Sequence, residues 1–203
     1  MKQETGNNQT PSTKRVSIQR SLDGHSFSRP DLDGLAASDD PVEVELLLPH
    51  AMLVPAELFT EEAARGLLAA NGTPADADEC VVVCQNKNGA VGLVAAESRL
   101  IEAVRAKFPK ARFTTPLSEI PQNCGNCIRI CRREALLYIK VYQTGRLQLA
   151  EVVPAGTEAE VGYLIDRLGS VFRLDEYELR LAGNKPRELR KWIGKRFGKI
   201  TCE

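Results

Sequence analysis

Histidine, tryptophan and aromatic side chains are scarce in this chain. Of 203 residues, two are histidine and one is tryptophan, and aromatics make up 5%. With only His25 and His50, and no G-x-S-x-G, a hydrolase triad lacks its parts. No Walker-type glycine loop occurs either. The shortage of aromatics argues against a base-stacking platform for single-stranded nucleic acid. Long apolar runs are missing: the cluster Leu46-Leu47-Leu48 stops at Pro49 and no run approaches the length of a bilayer crossing, so no membrane span and no membrane partner is expected. Residues 2–14 have no apolar centre, which argues against a signal peptide and for a soluble, cytoplasmic protein. Aspartate is absent between Gly89 and Asp166.

What is present is enough for one or two domains with a core, since 43% of the residues are hydrophobic. Net charge is zero but unevenly spread. Residues 30–80 carry twelve acids and one base, Arg65, whereas residues 104–149 carry nine bases and two acids. Residues 185–203 carry seven bases and two acids. An acidic front half and a basic back half either dock on each other or leave a basic face for an anionic partner.

Residues 1–14 are polar and aperiodic and read as a disordered tail. Residues 16–28 read as a strand, an Asp23-Gly24 turn and a second strand, because a type I′ turn needs positive φ at both central positions. Residues 29–41 read as an acidic loop. Residues 42–48 alternate and then turn fully apolar, a strand entering the core. A short strand follows to Pro55, and Thr60 is placed to cap a helix ending at Asn71-Gly72. Residues 80–84, CVVVC, read as a strand buried on both faces, with Cys80 and Cys84 in the core. Asn88-Gly89 turns it into a strand at 90–96, then a helix at 98–108 and a strand at 111–114. Ser118 opens a further helix to about Arg133. The pattern then repeats: strands at 136–142 and 146–153 around Thr144-Gly145, and a helix capped by the Thr157/Glu160 box with Val161, Leu164, Ile165, Leu168, Val171 and Phe172 on one face. A strand at 178–181 and the Gly183 turn come next. Asn184 then caps a basic helix at 186–197, before a last strand at 199–202. This is a duplicated α/β unit, with lobes at 15–116 and 117–203.

Two stretches, SIQRSLDGHSF (17–27) and MLVPAELFTEE (52–62), together with the order of elements from Leu136 to the last helix, resemble a bacterial family known mainly in Bacteroidota, domain-of-unknown-function family 3822. The resemblance implies the fold of the actin, sugar kinase and Hsp70 ATPases, in a degenerate form. The chain departs from the family in two places: the first crossover helix between Phe27 and Met52 is missing, and the strand pair before Thr157 is one hairpin short.

An ATPase of that fold has a phosphate-facing hairpin in each lobe, with an Asp two residues before a Gly to handle Mg²⁺. Here Asp23 sits directly beside Gly24. The second hairpin, taken as residues 138–149, has Thr144 and Gly145 but no acid, so Mg²⁺ has no evident holder. Leu181-Ala182-Gly183-Asn184 keeps one glycine of the pair usual at the adenosine turn. If ATP binds, Asp23, Gly24, Thr144, Gly145, Gly183 and Asn184 are its expected contacts; the bland reading of all six is turn chemistry. Cys124, Cys127 and Cys131, spaced C-x2-C-x3-C, suggest a metal or cluster site, but the same spacing is one face of the expected helix, so core packing is preferred. Without an export signal, all six cysteines are expected as thiols. On the last helix Arg187, Arg190, Lys191 and Lys195 face outward, as a solvated face or as a surface for RNA or an acidic protein. The sequence therefore favours a non-catalytic scaffold or regulatory protein-contact module. A nucleotide-binding protein or weak ATPase and an RNA-associated accessory protein are the alternatives.

Overall fold

The computed structural model describes residues 14–19, 37, 39–87 and 89–203. The Asp23-Gly24 hairpin and most of the acidic loop lie outside the described residues. Three sheets and four α-helices make up what is described.

The first sheet is parallel. β1 (Lys14–Gln19) pairs with β2 (Val42–Leu47), and β2 with β6 (Ala111–Thr114). The second is antiparallel, with β5 (Ala90–Glu97) between β3 (Ala51–Pro55) and β4 (Glu79–Lys87). Its central strand is buried on both faces. Val94 and Ala96 join the core beneath the parallel sheet, while Val91, Leu93 and Ala95 meet Leu68 of α1 (Ala64–Ala70). The sequence assigned two-sided burial to β4 instead. β4 is the edge strand, so Val82 and Cys84 point inward and Val83 is exposed. At Gly92 of β5 a Cβ would lie 3.0 Å from the Cys84 Cβ and 3.0 Å from the Ser118 Oγ, so glycine lets the 3₁₀ turn Pro116–Ser118 close on the sheet. α2 (Ser98–Lys107) returns the chain to β6 and buries Leu100, Ile101 and Val104, with Phe108 just beyond its end.

The third sheet runs in the order β11-β10-β7-β8-β9. Its strands are β7 (Cys127–Arg133), β8 (Leu136–Gln143), β9 (Arg146–Pro154), β10 (Glu178–Gly183) and β11 (Lys199–Cys202). β7, β8 and β9 form an antiparallel meander, and β10 and β11 add in parallel through α3 (Glu158–Gly169) and α4 (Pro186–Ile193). The capping box of α3 forms as read: Thr157 Oγ1 accepts from the Glu160 N–H, and Glu160 accepts from the Thr157 N–H at 2.9 Å. Ile128, Ile130, Leu137, Ile139, Leu179 and Leu181 face the helices.

Five local readings are corrected. Residues 118–133 are no helix. After one 3₁₀ turn the chain is irregular to Asn126 and then forms β7, because Ile128 and Ile130 alternate with Arg129 and Cys131 in a two-residue period. That strand supplies the hairpin thought to be missing from the second lobe. Val171 is exposed, since α3 ends at Gly169. Asn184 is not the cap of α4: Lys185, at φ 48°, holds that position with no side-chain bond. The helix stops at Ile193 because Gly194, at φ 71°, leaves the helical region.

Candidate functional site

The parallel sheet, α2 and one face of the five-stranded sheet meet along an apolar seam. Cys131, Leu136, Tyr138 and Ala182 on one face of the third sheet share a single core with Val44 and Leu46 of β2, Leu48 just after it, and Leu100, Ile101 and Val104 of α2. Tyr138 is fully buried and its hydroxyl donates to Leu48 O at 3.3 Å. Burial raises the Tyr138 phenol well above its ordinary range.

Charges are buried along the same seam, and the sequence reading did not single them out. Arg129 of β7 and Lys140 of β8 are direct cross-strand partners, an arrangement that repels unless each is separately satisfied. Arg129 is held by Glu119 at 2.9 Å and Glu203 at 3.1 Å. Lys140 is wholly buried, and its Nζ donates to the carbonyls of Pro116 at 3.2 Å, Leu117 at 3.0 Å and Glu119. Burial, and then the neighbouring Arg129 charge, push the Lys140 amine down to about 7. The signal for this cluster was the I-R-I-C-R-R alternation, which only a strand places on two faces.

Of the six nucleotide candidates, the four described ones fall at two separate places. Asp23 and Gly24 lie outside the described residues. Thr144 and Gly145, at φ 48° and 76°, form the β8–β9 turn; the Thr144 N–H donates to Asn126 Oδ1 at 2.9 Å and the Gly145 N–H to Gly125 O at 2.9 Å. This turn sits at the Cys127 end of β7, whereas Gly183 pairs with Arg132 at the other end. Five strand residues separate the two, about 17 Å. Gly145 instead borders a cavity of about 380 Å³ with Leu53, Pro55, Leu117, Ile120 and Tyr142.

Position in the fold also moves the second hairpin. The turn expected from the sequence at Asp23-Gly24 would follow β1, the first strand of its half, and the turn that follows the first strand of the second half is the one after β7, at Glu134-Ala135, with Glu134 at φ 48°. The sequence reading took the next hairpin along because the supposed helix over 118–133 hid β7. The turn after β7 carries an acid, and that acid is engaged. Glu134 Oε1 accepts from Asn184 Nδ2 at 3.1 Å, and Arg132 Nε donates to Glu134 O at 3.0 Å. Arg132 also binds Glu188 at 2.9 Å and lies 4.7 Å over the Trp192 ring. Gly183, at φ 85°, approaches so closely that a Cβ there would sit 2.0 Å from Arg132 O. The Asn184 N–H donates to that same oxygen at 2.8 Å.

The cysteines also fall differently. Cys124 and Cys127 form a disulfide, with Cα atoms 5.6 Å apart. The two residues between them, Gly125 and Asn126, form a bend immediately before β7. The expectation that all six are thiols is therefore corrected; Cys80, Cys84, Cys131 and Cys202 are free. Cys131 lies four strand residues beyond Cys127, about 13 Å away. Among the described residues no three His, Cys, Asp or Glu side chains gather as a metal site. Arg187, Arg190, Lys191 and Lys195 are all exposed and border one shallow groove of about 650 Å³, backed by Phe197 and Ile200. No helix among the described residues is long and apolar enough to cross a membrane.

No family model matches the sequence, and no curated protein matches it. Solved structures do. A protein of unknown function with an actin-like ATPase fold from Bacteroides thetaiotaomicron superposes with a TM-score of 0.67 at 19% identity, over 80% of this chain and 68% of that one. The cytoplasmic domain of EpsL, an inner membrane component of the type II secretion system of Vibrio cholerae, aligns over 82% of this chain and 66% of its own, with a TM-score of 0.41 and 13% identity. The five-stranded order of the second lobe, its two crossover helices and the first of these likenesses agree: the chain has the actin-like ATPase fold.

Proposed function

We propose that this chain is a non-catalytic protein-contact module built on the actin-like ATPase fold, a trimmed relative of domain-of-unknown-function family 3822 working in the cytoplasm. The observation that carries the reading is the apolar seam. A nucleotide site is a cleft of several hundred Å³ with polar groups free to converge on phosphates. Here the facing surfaces of the two halves share one apolar core, and the polar groups of the Glu134 turn hydrogen-bond one another; the cavity of about 380 Å³ beside that core lies between Leu53 and Pro55 on one side and Ile120, Tyr142 and Leu147 on the other, and Gly183 does not border it. Gly183 has a task in that arrangement, the close approach of β10 to Arg132, that needs no ligand.

Melting followed by fluorescence, with and without Mg-ATP, tests the reading. The expected result is no shift at millimolar nucleotide. A clear rise in Tm, removed by Asp23→Ala or Glu134→Ala, would establish nucleotide binding instead.

A further inference from the structure

β11 is the edge of the five-stranded sheet, and among the described residues it pairs only with β10. The direction of its backbone groups follows from one bond. The Glu203 N–H donates to Leu181 O of β10 at 2.8 Å. Peptide groups alternate along a strand, so those of Lys199 and Thr201 also face β10, while those of Ile200 and Cys202 face away from the sheet. An open edge of this kind accepts another strand.

Side chains follow the same alternation. Lys199 and Thr201 turn to the face where Glu178 binds both, at 2.9 Å and 3.5 Å. Ile200 turns to the opposite face, towards α4, where it packs on the core of that side. On that face the groove bordered by α4, Gly194, Phe197 and Ile200 carries Arg187, Arg190, Lys191 and Lys195. Arg187, Arg190 and Lys191 stand at i, i+3 and i+4 and so share one side of the helix. The neighbouring bases are committed elsewhere, Arg196 to Asp166 at 2.5 Å and Lys199 to Glu178. The four groove cations have no ion pair among the described residues.

We propose that this groove docks an acidic, extended segment of a partner protein, which adds as a strand to β11 and lays every second side chain, a carboxylate, against Arg187, Arg190, Lys191 and Lys195. The proposal rests on the protein-contact reading above and gives that contact its place. Open strand edge and unpaired cations are separate observations, and a peptide uses both: the ladder gives affinity and the alternating carboxylates give specificity. A nucleic acid uses only the charge. The groove offers it no free aromatic face, since Phe197 is buried and the Trp192 ring is covered by Arg132.

The test is fluorescence polarisation with the full chain and three labelled probes: a peptide of about ten residues alternating Glu and Thr, a peptide of the same composition with its glutamates in one block, and a uridine oligomer of equal charge. The alternating peptide is expected to bind best and to weaken with salt. Arg190→Glu with Lys191→Glu should reduce its affinity about tenfold or more, the effect of reversing two rim charges. Ile200→Pro removes an N–H that faces away from β10, so it should abolish binding while the fold persists. Should that variant fold poorly, hydrogen exchange on the unaltered protein decides the same point: the Ile200 and Cys202 amides exchange freely alone and become protected in the complex. Equal binding of the two peptides, no gain in protection, tighter binding of the uridine oligomer, or no binding at all would each overturn the proposal. A Tm rise with Mg-ATP bears only on the earlier reading, so the two fail separately.

Discussion

Lys140 makes stability depend on pH in a way the structure fixes. The amine is buried beside Arg129 and is pushed from 10.5 down to about 7 in the folded chain. In the unfolded chain it returns to its ordinary value, so between those limits the unfolded state binds more protons and stability rises with pH. Below about pH 7 both states are protonated and the full penalty, about 4–5 kcal/mol, is present. It is relieved progressively as pH climbs towards about 10. From about pH 7 to pH 8.5 the expected gain is on the order of 2 kcal/mol. The window should stop there. Cys84, pushed up to about 12 by burial, and Cys131, also raised, hold their protons more tightly when folded and take stability away as pH rises past the ordinary thiol range. Urea unfolding of the wild type and Lys140→Met at both pH values measures the effect. Absolute stability of the variant mixes a relieved desolvation penalty with orphaned carbonyls of Pro116, Leu117 and Glu119, so the slope is the diagnostic quantity. Wild type should gain stability over the window and the variant should stay flat. Parallel curves would refute the claim that Lys140 is buried in the seam.

Other perturbations read other parts of the structure. Gly183→Ala should cost about 2–4 kcal/mol in urea unfolding, since a Cβ would overlap Arg132 O at a positive φ; a loss under about 1 kcal/mol would mean that the close approach is absent. Thr157→Ala should cost about 1 kcal/mol through loss of the cap on α3, with the fold intact by circular dichroism. In thiol labelling without reductant, exposed Cys202 should react first, and buried Cys84 and Cys131 only on unfolding. Cys124 and Cys127 should label only after reduction; labelling of both without reductant would contradict their pairing.

Most elements were legible because their signals were local. The Thr157/Glu160 box, the Thr144-Gly145 turn with two positive φ values, and the α2 stripe of Leu100, Ile101 and Val104 are each decided within a few residues. The stretch 118–133 was not legible. Cys124, Cys127 and Cys131 fit a helical face as well as a strand preceded by a turn, and what decided between them lay far away. β8 and β10 offer Ile128 and Ile130 two partners to sit between, and Glu119 and Glu203 satisfy Arg129. The lost strand shifted the hairpin count, so Thr144 and Gly145 were grouped with Gly183, which lies at the opposite end of the sheet. CVVVC misled for a related reason: an apolar run shows burial without showing which strand is central, and β5 took that place. Arg187, Arg190, Lys191 and Lys195 were identified by charge alone, but the open edge of β11 beside them exists only in the sheet order.

The central claim, that the two halves share one core and do not bind nucleotide, is tested most directly by calorimetry of the full chain with and without Mg-ATP. One cooperative transition, at the same temperature in both scans, is predicted, because unfolding either lobe strips the face of the other. Two separate transitions, with one moved upward by nucleotide, would contradict it.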